Sequence, residues 1–422
     1  MHDAAPATRR PRRFGWLLAL VVVLVLVAIA VAILSRPPLA TRLLLGAVGN
    51  MLGLQVTATS GDYRLRGTPM IDVHGLVARE PGATKPLLRA DRVVLSLPWS
   101  TIRSRGGELT IDRIELQRPV VDMPSLQHWL QRRPPAKTRI PTLTRGLQVT
   151  DGTLVADAWT INGIALELPA LAPGRPVAAS LVGRYRSAGL QVPFALHAVL
   201  SGPASDAVIG IAGSIAPARA DWRMPAYIVL SGKLQPIGGG WELRRTRVQA
   251  SARYETSSDQ LPFALGIAGT LQQRAGRLAL SPAAIATRGQ GLVPELDARG
   301  EATLATTLHL QLAGMLQAWP ERWPQLPSPL DRSHSPLPFH LAYDGRPDVS
   351  GTAMLQLSRG DVRFDGRFRP VDVAAWTTAG TENPLPPLDG HLVAPRIDIA
   401  GATLQGVDLT LDDPAIADPA AR

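Results

Sequence analysis

From Gly61 to near the C-terminus, apolar and polar residues alternate with a period of two, the spacing of strands with one apolar face. Val93, Leu95 and Leu97 form one such stripe; Ile164, Leu166 and Leu168 form another. Leu304 to Leu312 and Val407, Leu409 and Leu411 give two more. Asp151-Gly152, Asn162-Gly163, Asp344-Gly345, Asp365-Gly366 and Asp389-Gly390 stand between apolar runs, and these dipeptides favour the positive φ of two-residue hairpins. The pattern predicts an antiparallel meander. Between Leu109 and Leu116 the stripe changes phase, which predicts a bulge near Arg113.

Three tetrapeptides, Pro193-Phe194-Ala195-Leu196, Pro262-Phe263-Ala264-Leu265 and Pro338-Phe339-His340-Leu341, form a weak internal repeat, each on an alternating run. They suggest a sheet extended by similar units. Phe194, Leu196, Phe263, Leu265, Phe339 and Leu341 are the candidate lining of its apolar face, and Ala195, Ala264 and His340 point to the other side.

The N-terminal part has other periodicities. Phe14 to Leu34 is an uncharged apolar run, about 31 Å long as a helix, which suits one bilayer crossing. Arg9, Arg10, Arg12 and Arg13 precede it and only Arg36 follows closely, so the positive-inside bias puts the N-terminus in the cytoplasm. Trp16 is the interfacial anchor, and Leu24 and Ile33 lie within the span. Ala28-Ile29-Ala30 resembles a signal-peptide cleavage site, but the apolar run is longer than a signal core and continues past it. Leu39, Leu43, Leu44, Val48, Met51 and Leu52 recur at helical spacing, predicting a short amphipathic stalk.

The expected organisation is a basic tail at 1–13, a transmembrane helix at 14–35 and a stalk at 36–60. A first β module follows at 61–138 and a central meander at 139–314. A Trp/Pro-rich interruption at 315–338 precedes a C-terminal β module at 339–412 and a tail at 413–422. The basic, proline-containing stretch Gln131 to Pro141 ends the first module, and Arg369 to Leu388 is a further interruption with room for a short helix.

Composition narrows the class. With 45% hydrophobic and 18% charged residues the chain is not disordered; with 38 Gly and 38 Pro it is not a helical bundle. The absence of cysteine excludes disulfides, thiolate metal sites and a cysteine nucleophile. The net charge of +10 comes from scattered arginines not massed with aromatics, so nucleic acid is not an expected partner.

Catalytic constellations are missing from the pattern. His2, His74, His128, His197, His309, His334, His340 and His391 show no zinc spacing. No Gly-x-Ser-x-Gly elbow occurs, and Gly238-Gly239-Gly240 reads as a turn. Asp72, Asp91, Asp112, Asp122 and Asp361 read as wet strand faces, and Asp412-Asp413 lie in the tail. No cofactor, metal or catalytic residue is expected, and the chain reads as a non-enzyme.

The run Gly61-Asp62-Tyr63-Arg64-Leu65-Arg66-Gly67-Thr68-Pro69, then Ile71 to Leu76, then Leu88-Arg89-Ala90-Asp91-Arg92-Val93-Val94-Leu95-Ser96-Leu97-Pro98-Trp99, behind one membrane helix, resembles the start of the AsmA-like family. Leu109 to Val120 resembles its next strand, and Pro395 to Leu409 its recurrent C-terminal strand pair. The likeness covers Phe14 to about Leu130 and the end of the chain; the middle shares only the β pattern. The resemblance implies a single-pass inner-membrane protein with its bulk in the periplasm, whose sheet curls into a groove for phospholipid acyl chains and serves outer-membrane assembly or envelope lipid homeostasis. Its partners are then phospholipid, the membrane and other envelope proteins.

The expected fold is mainly β: an N-terminal transmembrane helix followed by an elongated, curled antiparallel sheet with a few short helices. One apolar face with few helices to cover it must curl, pair with another sheet or hold a ligand. An ordinary β-sandwich with a dry core is the competing fold. The competing function is a non-enzymatic bitopic scaffold of an envelope machine, resembling the membrane-anchored N component of type II secretion. A reporter fused after Arg422 is expected to behave as exported, and the protein to remain in carbonate-washed membranes. A soluble mature form beginning near Val31 would contradict the anchor.

Overall fold

The computed structural model of the protein describes residues 53–64, 66–103, 110–132, 141–202, 207–289, 291, 293–320, 323, 336–379, 387–399, 402–413 and 416. The basic tail, the apolar run 14–34 and the helical face ending at Leu52 lie outside them, as do Trp16, Leu24 and Ile33. Among the described residues no helix is long and apolar enough to cross a membrane. Strands take 68% of the described residues, so the fold is mainly β. Twenty-two strands form a mixed sheet and two more a separate parallel pair. By internal contacts the chain divides into two compact units, Met1–Trp241 and Glu242–Arg422.

In the first unit, β1 (Gln55–Thr57) and β2 (Ser60–Arg64) both pair antiparallel with β3 (Met70–Arg79). The stalk expected to reach residue 60 thus gives way to strand by Gln55. β3 buries Ile71 and Val73, then Leu76 and Ala78. The phase changes across Gly75, at φ 60°, where a Cβ would stand 2.3 Å from Thr59 Oγ1, so only glycine fits. β4 (Leu88–Ser96) pairs antiparallel with β3. After the short helix α1 (Trp99–Arg103) come β5 (Thr110–Ile111), β6 (Arg113–Gln117) and β7 (Val120–Asp122). β6 and β7 run along β4.

Asp122 Oδ2 accepts the Ser125 amide at 3.0 Å and caps α2 (Met123–Arg132), which turns Leu126 and Trp129 into the core. β8 (Thr142–Leu143) then pairs in parallel with β5, and β9 (Leu147–Val155) runs parallel to β6 and β7. The purely antiparallel meander is therefore wrong here. Parallel neighbours need a crossover of about a dozen residues or more, and the stretch from Met123 to Gly146 supplies it. For the same reason the module boundary expected at 138 falls inside this crossover: Ile71, Leu95, Ile114, Leu126, Leu147 and Leu171 belong to one dry core.

β10 (Thr160–Leu168), β11 (Val177–Ser187), β12 (Leu190–Leu200), β13 (Ala207–Ile215) and β14 (Ala226–Ile237) follow as an antiparallel succession. β15 (Gly240–Glu255) carries the division between the units. The second unit continues with β16 (Gln260–Arg274), β17 (Arg277–Gly289), β18 (Glu295–Leu304), β19 (Leu308–Ala318), β20 (Leu337–Gly345), β21 (Ala353–Arg359) and β22 (Val362–Phe368). Helix α3 (Pro370–Ala379) leads to β23 (Leu388–Ile399) and β24 (Ala402–Leu411). From β16 to β24 each strand pairs antiparallel with the next. The interruption expected from 315 starts later, because β19 runs on to Ala318; α3 fills part of the one expected after Arg369.

The Asp-Gly and Asn-Gly turns are also corrected. Asp151 (φ 54°) lies inside β9 and Gly163 (φ 62°) inside β10, where the β9–β10 register shifts. Positive φ here makes bulges, not turns. Asp365-Gly366 and Asp389-Gly390 sit within β22 and β23, with Gly366 opposite Gly390, and Asp344-Gly345 ends β20. Two tight hairpins turn instead on Ala188-Gly189 (φ 42° and 79°) and Ala275-Gly276 (φ 48° and 81°), the two positive φ values of a type I′ turn, and Gly238-Gly239 and Gly360-Asp361 make two further two-residue connections.

The phase shift near Arg113 is a break between β5 and β6 at Asp112. The Asp112 amide donates to the Ser96 carbonyl at 2.8 Å. Its carboxylate accepts Arg145 Nε at 2.8 Å, Thr144 Oγ1 at 2.8 Å and Ser96 Oγ at 3.3 Å. It thereby ties β4 and the β5–β6 break to the connection entering β9. The Arg145 hydrogen bond, aided by those from Thr144 and Ser96, outweighs partial burial and holds the Asp112 carboxyl below its usual range. Its contribution is therefore complete above the unfolded value of about 3.9 and is lost as pH falls through the lower folded value. Asp112→Asn should lower stability near neutral pH by about 1–2 kcal/mol, a modest figure because Arg145 is exposed to screening. In urea unfolding, the gap between wild type and variant should close in acid. A gap that persists there would show that the ion pair does not stabilise the fold.

Candidate functional site

The register gathers the apolar stripes onto one face of each unit. In the first, Leu196 on β12 faces Leu181 on β11 and Gly213 on β13, and Leu181 continues to Leu166. Gly213 continues to Ile228 on β14. The next row is Ala179, Ala198, Ile211 and Leu230. The opposite face carries Arg184, His197 and Ser214, with exposed Val182 and Val199 among them.

The dry core of this unit reaches Leu171, with Val149, Leu166, Leu168 and Val177 at its fringe. Beyond it the face changes character: Leu181, Phe194, Leu196, Ile211, Ile228 and Leu230 are all only half-buried. Among the described residues from Ala172 to Trp241, the buried hydrophobic side chains are Ala207 and Leu234. A sandwich would bury this stripe against a second sheet. Here the large aliphatic side chains keep part of their surface in contact with water.

In the second unit one row crosses nine strands: Ile267, Ile285, Ala298, Gly314, Phe339, Leu357, Phe364, Leu392 and Leu409. Phe263, Leu265 and Leu341 share its face by alternation and register, whereas Ala264 and His340 are exposed on the other. Leu265 is half-buried. Phe339 is only 4% exposed, in a dry cluster with Leu312, Leu316, Leu337 and Leu357. Trp319, from the Trp/Pro-rich stretch, packs against that cluster. Phe339 therefore belongs to a core, not to an open lining, because this part of the face has its own cover. On the polar face Arg288 donates to both Asp297 oxygens at 2.8 and 2.9 Å, and Gln317 Nε2 donates at 2.9 Å. The Arg288 bond leads in holding that carboxyl below its usual range.

Each Pro-Phe motif places its ring opposite a glycine of the neighbouring strand: Phe194 faces Gly183, Phe263 faces Gly289 and Phe339 faces Gly314. A Cβ on Gly183 would meet Phe194 Cζ at 2.8 Å. The ring fills space the glycine leaves empty. Gly183 and the aliphatic rows on β13 and β14 were not singled out in the sequence, although their glycines and alternating Ile and Leu were the available signal.

Buried polar groups are engaged within the fold. Thr101 Oγ1 donates to the Thr110 carbonyl and Thr246 Oγ1 to the Leu243 carbonyl, both at 2.6 Å. Glu242 accepts Gln272 Nε2 at 2.6 Å and pairs with Arg244. Among the described residues no three His, Asp or Glu side chains converge as a metal site. What stands out chemically is the half-exposed aliphatic face from β11 to β14. No family model, curated protein or solved structure matches this chain.

Proposed function

We propose that this chain binds phospholipid acyl chains on its apolar sheet face, as an AsmA-like protein anchored in the inner membrane with its bulk in the periplasm, contributing to outer-membrane assembly or envelope lipid homeostasis. The observation that carries this reading is the stretch from β11 to β14, where Leu181, Phe194, Leu196, Ile211, Ile228 and Leu230 are half-buried. Burial of apolar surface contributes about 0.8 kcal/mol per methylene, so eight methylenes laid on this face would gain roughly 6 kcal/mol before ordering costs. The lining is aliphatic and interspersed with glycine and alanine, which suits flexible chains without a fixed shape.

A second reading, the bitopic scaffold of an envelope machine, draws on β24. Among the described residues this strand pairs only with β23, and Leu404 and Leu409 are 48% and 41% exposed. Such an edge can accept a strand from a partner.

Photo-crosslinkers discriminate the faces. Placed at Leu181, Leu196 or Leu230 they are expected to capture phospholipid, and at Val182, Ala195 or Val229 they are not, because adjacent strand residues face opposite sides. A crosslinker at Phe339 should capture none. Leu196→Asp should lower capture at Leu230 while lowering stability by about 1–2 kcal/mol, less than at a fully buried leucine because water already reaches part of the face. Equal capture from both faces, or none from either in folded protein, would contradict the proposal.

A further inference from the structure

In the second unit the sheet stops at β24, which among the described residues pairs only with β23. The chain beyond it turns back to β23, where the Asp413 amide donates to Asp389 Oδ1 at 2.7 Å. Natural edges are guarded by lysines, prolines or very short strands. β24 has none of these over its ten residues. Its one charged residue, Asp408, is hydrogen-bonded to His391 Nε2 at 2.6 Å, and Arg396 and Asp398 on β23 pair with each other at 3.2 Å. No uncompensated charge on this strand pair repels an incoming strand.

The β23–β24 register skips Pro395 and Gly406, the latter at φ 62°, and the side-chain phase changes there on both strands. Leu392, Ala394 and Ile397 are accordingly buried in one cluster, with Val407 packed against it. Leu409, opposite Leu392, and Leu404, opposite Ile397, therefore share the apolar face. Gln405 and Thr403, opposite Arg396 and Asp398, share the polar face with Asp408 and Thr410, opposite Val393 and His391. Counted outward from Gly406-Val407, Gln405 answers to Asp408, Leu404 to Leu409 and Thr403 to Thr410. In a regular strand the members of each pair would lie on opposite faces; the phase change at Gly406 puts them on the same one. The edge is palindromic in sequence and in facing.

We propose that β24 pairs antiparallel with β24 of a second copy of this chain, about a two-fold axis between Gly406 and Val407. A two-fold contact requires a self-complementary surface, and the palindrome supplies one. Leu404 and Leu409, 48% and 41% exposed in the single chain, stand opposite Leu409 and Leu404 of the partner subunit and continue the apolar row across the junction. On the polar face the Gln405 side-chain amide donates to the carboxylate of Asp408 of the partner subunit, and Thr403 meets Thr410 of the partner subunit. Such cross-strand pairs stabilise a sheet, and no like charges are opposed. The inference stands whatever covers the β11–β14 face, and it puts a second copy, not another protein, on this edge.

The chain has no cysteine, so introduced thiols report the register without background. Two differently tagged full chains are co-expressed, one carrying Gln405→Cys and the other Asp408→Cys, and oxidised mildly. A disulfide between them is expected. Gln405→Cys paired with itself should not link, because in this register its two copies lie about 10 Å apart along the strands, beyond disulfide reach. In sedimentation of the purified full chain in detergent, wild type should be a dimer. Gln405→Asp opposes two pairs of carboxylates across the axis and should weaken the dimer roughly tenfold, and adding Asp408→Asn should restore it. Both positions are exposed, so the variants should fold as wild type does. A chain that stays monomeric and forms no disulfide between positions 405 and 408 would overturn the proposal. So would a dimer indifferent to Gln405→Asp, or one linked through Gln405→Cys alone, which would put the contact elsewhere or make it parallel. A strand of another protein on β24 in place of a second copy would assign the edge to the scaffold reading and overturn this one. Lipid capture on the β11–β14 face is read separately and should not change in any of these variants.

Discussion

A sheet whose large apolar side chains share one face must put something against that face, because the hydrophobic free energy of a strand comes from what its side chains leave water for. In the first unit this constraint is met in two ways. Up to Leu171, α2 and the crossover between β7 and β9 cover the stripe, and Leu95, Leu97, Ile111 and Leu143 become almost wholly inaccessible. From β11 to β14 the same period-two pattern continues, but apart from Leu234 its leucines and isoleucines stop at half-burial. The proposed acyl chains complete in the second stretch what α2 completes in the first.

Small residues and polar clips determine where such a face can exist. Gly183 gives the Phe194 ring a flat neighbour to lie across, and Gly289, opposite Phe263, leaves room for the Val293 side chain. Gly300 and Gly314 permit backbones to approach where a Cβ would stand about 2 Å from a carbonyl oxygen. Polar contacts keep to the other face or to strand breaks: Arg288 and Gln317 hold Asp297 across three strands, and Asp112 fixes the corner where β5 gives way to β6. Segregating charge from the aliphatic rows leaves the β11–β14 rows apolar among the described residues.

Much of this was legible in the sequence, for identifiable reasons. Alternation reports the face directly, so the sequence alone puts Leu265 and Leu341 together and Ala264 and His340 opposite, as the register does. Turns were less legible, because positive φ serves bulges as well as hairpins: Asp151 and Gly163 took the first role, and Ala188-Gly189 and Ala275-Gly276 the second. The parallel crossover was hidden because α2 is short and its amphipathic face is carried chiefly by Leu126 and Trp129. Cover was not legible at all. The motif around Phe339 is nearly identical to the one around Phe194, yet one ring lies in a dry cluster and the other on an open face. The difference comes from Trp319 and from the leucines of the neighbouring strands β19 to β21, which close over Phe339.

If acyl chains cover the β11–β14 face, the native protein carries lipid there. The most direct measurement is quantitative mass spectrometry of organic extracts from the full chain purified out of membranes. Wild type would be compared with a variant carrying Leu181→Gln, Leu196→Gln and Leu230→Gln. The expected result is phospholipid retained in a fixed ratio to wild-type protein after detergent washing, and much less in the equally folded variant. Identical lipid content in the two proteins, or a lipid-free wild type, would contradict the account.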